Sequence, residues 1–141
     1  MDAWIRALKA LAGDWPAQAA PYFRETWGLD RGFALRVGLL YLALHYAGLS
    51  PRITSGHRDP SKQAAMRAAW DRGERSGLRV RPADPSASRH TRPWGQALAV
   101  DIPCRDDRLA AQIAKALGLR AGLYFAVSDP GHYDAGGVGG A

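Results

Sequence analysis

Along the first fifty residues the apolar side chains recur at helical rather than strand spacing. Trp4, Ile5, Leu8 and Leu11 share one face of a helix that Asp2 caps and Gly13 stops. From Arg31 to Tyr46 the apolar positions are too dense for a single stripe: Phe33, Leu35, Val37, Leu39, Leu40, Leu42 and Leu44 reach nearly every side. Such a helix is enclosed by its neighbours, which places His45 in the core. Gly48 and Pro51 end it, and residues 52–55 read as a short strand. Asp59-Pro60, an N-cap residue followed by proline at the first helical position, opens a helix to about Asp71.

After Gly73 the pattern breaks down. Residues 73–96 are rich in Gly, Pro, Ser, Asp and Arg, interrupted only by Leu78-Arg79-Val80. A connection this long in a small domain is functional or else disordered. Residues 97–102 read as a buried strand carrying a carboxylate near its end. Asp106 and Asp107 open a helix through Leu109, Ile113, Ala116 and Leu117, closed by Gly118, and residues 123–127 form the next strand candidate. Residues 135–141 are a glycine-rich, flexible tail. Helices first, then strands with one helix between them, predict an α+β fold with a small antiparallel sheet flanked by helices. There is no internal repeat and no second domain: residues 1–50 are a helical N-terminal part and residues 52–134 the core.

Composition narrows the function classes. With 141 residues, 47% of them apolar, the chain can bury a core without disulfide staples. Cys104 stands alone, which excludes an intramolecular disulfide and all but excludes a closed, cysteine-rich structural zinc site. No stretch approaches the roughly 20 apolar residues of a membrane span. The start, Met1-Asp2-Ala3-Trp4, lacks the basic residues and apolar run of a secretory signal, so work outside the cytoplasm would need another means of delivery. A net charge of +6, mostly arginine, draws the protein toward polyanions such as nucleic acid, acidic membranes or cell-wall polymers. The arginines are scattered, without interleaved exposed aromatics or a reader motif, so specific nucleic-acid recognition is not expected.

Three segments carry candidate chemistry: Ser88-Arg89-His90, the strand ending at Asp101, and Asp129-Pro130-Gly131-His132-Tyr133-Asp134. Two imidazoles and a carboxylate suit a zinc ion with one position left open. A carboxylate at the end of an apolar strand is costly unless paired or bound to metal; the competing reading has Asp101 bonded to loop amides. Arginine neighbours make His90 a poor cation and favour the neutral, ligating form, although alone it would pass for a surface histidine. Asp129 or Asp134 could orient the ring of His132. Asp129, three residues before His132, also stands where a base would act on water at the metal.

Taken together, these segments resemble the zinc peptidases of the D-Ala-D-Ala carboxypeptidase (VanY-like) and phage L-alanyl-D-glutamate endolysin family. That family shows a Ser-Gly-Tyr-Arg segment, then Ser-x-His followed by Gly-x-Ala-x-Asp, and finally (Asp/Glu)-x-x-His. Here the counterparts are Ser55-Gly56-His57-Arg58 with Gln63 just beyond, Ser88-Arg89-His90 leading to Ala97-Leu98-Ala99-Val100-Asp101, and Asp129-Pro130-Gly131-His132. The resemblance covers roughly residues 52–134 and implies a peptidoglycan hydrolase with a zinc site at the sheet face. One zinc per chain would be held by His90, Asp101 and His132. Asp129 would serve as acid–base group, Arg58 would stabilise the oxyanion, and Ser55 and Gln63 would contact substrate or support the site. It further implies a monomer made in the host cytoplasm and acting on the wall, in phage lysis or carried in the virion. Two departures stand out. Residues 91–96 lengthen the loop between His90 and Asp101, and His57 replaces the family tyrosine, which makes it a rival ligand. Arg58 has a competing reading as a surface salt bridge, and Trp94 and Tyr133 as packing rather than cleft residues. Two other functions fit the same segments: a D,D-carboxypeptidase or D-Ala-D-Ala dipeptidase, and an inactive zinc scaffold that binds the wall.

Overall fold

The computed structural model describes residues 1–75 and 77–136; the tail expected to be flexible falls largely outside the described residues. Five α-helices and a three-stranded antiparallel sheet make up the described part, a mixed α and β architecture. The helices are α1 (Asp2–Ala12), α2 (Trp15–Trp27), α3 (Arg31–Tyr46), α4 (Pro60–Asp71) and α5 (Asp107–Ala116). The strands are β1 (Ala99–Asp101), β2 (Arg120–Ala121) and β3 (His132–Asp134).

Helix α3 is the spine. Asp30 caps it, its carboxylate accepting from the Phe33 amide at 3.0 Å. Phe33, Ala34, Val37, Leu40, Ala43 and Leu44 are buried in a single core that also takes in α1, α2, α5 and the sheet. His45 is not part of that core. In the last turn only Ala43 and Leu44 point inward, so His45 and Tyr46 fall on the solvent side and pack against each other. Helix α1 likewise buries only Ile5 and Leu8, while Leu11 is 76% exposed at the end of its stripe. Helix α2, for which the apolar pattern gives no signal, packs Ala20 and Phe23 on α3 despite Pro21 in its interior. Proline there removes one helical hydrogen bond, a loss tolerated because the buried face is held by tertiary packing.

The last strand among the described residues is the middle of the sheet, in the order β1-β3-β2. Its register sets Val100 opposite Tyr133 and Asp101 opposite His132. Successive side chains alternate between faces, so Val100 and Tyr133 enter the core while Asp101 and His132 stand together on the other side. Tyr133 is therefore a packing residue, 1% exposed, not a cleft residue. Residues 52–55 are not one of the three strands, but they run antiparallel beside β1, bridged at Ser55–Asp101, with the Arg52 amide donating to Pro103, the Thr54 amide to Asp101 and the Asp101 amide to Ser55. Residues 123–127 are not a strand. The chain makes a 3-10 turn at Gly122–Tyr124 and bends away, leaving Tyr124 and Val127 exposed.

The long connection after α4 is tied back to that helix. Arg81 forms a two-pronged pair with Asp71 at 2.9 Å, and Arg67 donates to the Pro82 carbonyl at 3.3 Å. No helix among the described residues is long and apolar enough to cross a membrane.

Candidate metal centre

One atom each from His90, Asp101 and His132 lies within 4.8 Å of the others, at the floor of a cleft of about 680 Å³. The sheet register supplies Asp101 and His132 as neighbours, and a 3-10 turn at Arg89–Thr91 brings His90 over them. Asp101 Oδ1 stands 3.4 Å from His90 Nε2 and 3.3 Å from His132 Nδ1.

Each ring's other nitrogen is already engaged. His90 Nδ1 lies 2.7 Å from the Gly56 carbonyl. A carbonyl only accepts, so Nδ1 donates there and Nε2 is the nitrogen turned toward Asp101. His132 Nε2 meets Asp134 Oδ2 at 2.9 Å, which leaves Nδ1 for the cluster. Asp134 is buried and held in turn by both guanidinium prongs of Arg120 and by the Gly136 amide. Of the two acids flanking His132, Asp134 is the one that orients the ring. An outer hydrogen bond fixing tautomer and orientation is the usual support of a ligating histidine, and the N,N,O donor set fits a divalent metal ion. Neither Asp134 nor Arg120 has a motif of its own, but Asp134 sits at i+2 from His132, the same face of a strand, and Arg120 pairs with Asp134 across β2–β3.

The Ser55-Gly56-His57-Arg58 segment clasps His90. Besides the Gly56 contact, the Arg58 amide donates to the His90 carbonyl at 2.8 Å. The Arg58 side chain is no surface ion pair: only 12% exposed, it reaches into the site. It donates to Ser55 Oγ at 2.8 Å and to Gln63 Oε1 at 2.7 Å, and faces Asp101 Oδ2 at 3.6 Å. Gln63 is buried on α4 and spends its amide nitrogen on the Ala83 carbonyl, so both its ends are used within the chain. Ser55 and Gln63 thus hold Arg58 in place. His57 turns away from the cluster and packs edge-on against Trp94, which is 58% exposed.

The electrostatics follow from this wiring. Burial works against ionisation of Asp101, but hydrogen bonds from His132 and His90 outweigh it and hold the carboxyl well below its usual range. Asp134 is likewise held low, burial being overcome by His132 and Arg120. Burial opposes charging His132 too, yet Asp101 and Asp134 raise it to about 9. Asp129 goes the other way. Set in the cleft wall beside His132, it is raised above an ordinary aspartate, chiefly by burial, with partial relief from the positive charge of His132. Gly122 makes its position possible: a Cβ there would strike the Asp129 backbone carbonyl, and the Asp129 amide donates to Gly122 at 2.8 Å.

Neither the protein-family models nor the curated proteins contain a match to this chain.

Proposed function

We propose that this chain is a zinc metallopeptidase that hydrolyses peptide bonds in bacterial peptidoglycan stem peptides, of the L-alanyl-D-glutamate endopeptidase kind. The donor set carries this reading: two imidazoles and a carboxylate converge from three segments, each spare ring nitrogen already anchored. Such nitrogen and oxygen sets, without cysteine, are those of catalytic zinc sites. The chemistry the ion supplies when bound is Lewis acidity toward the scissile carbonyl and toward water. Asp129 takes the proton from the attacking water and returns it to the departing amine, and a raised pKa suits a group that must both hold and release a proton. Arg58 offers a fixed, permanent charge to the developing oxyanion. The four-segment resemblance supports the substrate class, and the net charge of +6 suits an anionic wall. All these groups come from one chain, so a monomer suffices.

The test is mass spectrometry of fragments released from purified sacculi by zinc-loaded protein. The expected product has a free L-alanine carboxyl and a new D-glutamate amine, with no released D-alanine. Asp129→Ala should keep its metal and lose activity by about 10²–10⁴-fold. Full metal content in His132→Ala would remove the cluster as the metal site. Release of D-alanine from a pentapeptide, with crosslinked sacculi intact, would make the protein a D,D-carboxypeptidase. Wall binding without any cleavage would make it a binding module.

A further inference from the structure

The cleft holds more arginine than the proposed chemistry uses. Arg58, Arg79, Arg81, Arg89 and Arg120 all line it. Four of these have at least one hydrogen-bond partner within the chain. Arg58 is taken by Ser55, Gln63 and Asp101, Arg81 by Asp71, and Arg120 by Asp134. Arg89 donates to the Gly136 carbonyl at 2.7 Å. Arg79 is exposed, and among the described residues it forms no hydrogen bond or ion pair. Its charge is felt by Asp129, which shares the cleft wall. The backbone just beyond it is pinned, since Arg81 is locked to Asp71 and the Pro82 and Ala83 carbonyls accept from Arg67 and Gln63 on α4. Arg79 thus brings to the cleft a guanidinium with no partner among the described residues.

That place indicates the ligand. In the proposed reaction Asp129 returns a proton to the departing amine, so the residue bearing that amine lies on the Asp129 side of the cleft. Arg79 lines the same cleft, near enough for its charge to act on Asp129. We infer that Arg79 is a specificity-determining residue that binds a free carboxylate on the substrate residue supplying the leaving amine. The inference rests on the peptidase reading above and adds the feature by which the substrate is chosen. Guanidinium and carboxylate match through two parallel N–H···O bonds, which a neutral carboxamide cannot reproduce. Stem peptides offer this group in two places: the α-carboxylate of γ-linked D-glutamate beside the L-Ala–D-Glu bond, and the C-terminal carboxylate of D-Ala-D-Ala.

The experiment compares matched synthetic peptides. One pair is L-Ala-γ-D-Glu-L-Lys and its counterpart with the D-glutamate α-carboxamide. The other is a pentapeptide ending in D-Ala-D-Ala and its C-terminal amide. The readout is the ratio of kcat/KM for acid over amide within whichever pair is cleaved, which also identifies the source of the carboxylate. Wild-type protein should favour the acid roughly 10–100-fold, the worth of a hydrogen-bonded charge. Arg79→Ala should bring the ratio close to one with metal content unchanged, and Arg79→Lys should keep part of it. If Arg79 merely tunes Asp129, the alanine variant will slow acid and amide alike, and an unchanged ratio overturns the inference. If wild-type protein cleaves neither pair, the peptidase reading fails. The same ratio is then taken from dissociation constants by calorimetry, and equal affinities for acid and amide overturn the role of Arg79.

Discussion

Asp134 illustrates how much of this site lies one step behind the atoms that would touch metal. It is buried, contacts His132 at 2.9 Å and is gripped by Arg120 with two bonds of the same length. Without that carboxylate the imidazole would be free to rotate and its tautomer would be unset. Asp134→Asn keeps the shape but loses the charge, and an amide nitrogen turned toward His132 would oppose the needed tautomer. Metal affinity, read by competition with a chromogenic chelator, should fall about 10–100-fold, the usual cost of losing an outer partner of a ligand. Arg120→Ala should move it the same way by a smaller factor, since Asp134 keeps the Gly136 amide. Unchanged affinity in both variants would reduce the Arg120–Asp134–His132 chain to packing.

The elements divide by how much of their cause is local. Helix α3 and the helix opened by Asp106 follow directly from apolar spacing and caps, because those signals lie within a few residues of what they specify. His90, Asp101 and His132 were legible as chemistry because residue type and motif spacing carry it, and the structure brings the three together. Helix α2 was not legible: Pro21 argues against a helix locally, and its reason for being one is the surface of α3. The apolar run at residues 123–127 misled for the opposite reason. Its neighbours would suit a strand, but the amides of Phe125 and Asp129 both turn back onto the Gly122 carbonyl and close a compact bend. Arg120 and Asp134 became partners only through a register that no single segment encodes. The bend makes its own prediction. Gly122→Ala puts a methyl group against the Asp129 carbonyl and forces the loop outward. Overpacking of this sort costs about 1–3 kcal/mol, to be measured by urea unfolding. Turnover should fall with it more steeply than metal affinity, because the methyl group meets the Asp129 backbone most closely and the Cβ of His132 only at 3.0 Å.

At the scale of the molecule, the charges tied to the site make stability depend on pH in both directions. In the metal-free protein His132 is raised to about 9 from an unfolded value near 6.5. Its contribution is complete below about pH 6.5 and is lost as pH rises through 9. Asp101 and Asp134 are lowered, so theirs is present above the ordinary carboxylate range near 4 and is lost as pH falls below it. Melting of EDTA-treated protein should therefore peak between about pH 4 and 6.5 and decline toward pH 9. Added metal should stabilise increasingly over that alkaline window, because binding needs the neutral ring and displaces its proton. A flat alkaline limb would show that His132 is not the charged partner described. The position of β3 has a consequence for synthesis as well. The central strand leaves the ribosome after the two strands it joins, and until it does, β1 and β2 have no common neighbour and one imidazole is missing. A nascent chain halted before residue 132 holds neither the three-stranded sheet nor the metal-binding triad, so any hydrolytic capacity waits on the synthesis of that one strand.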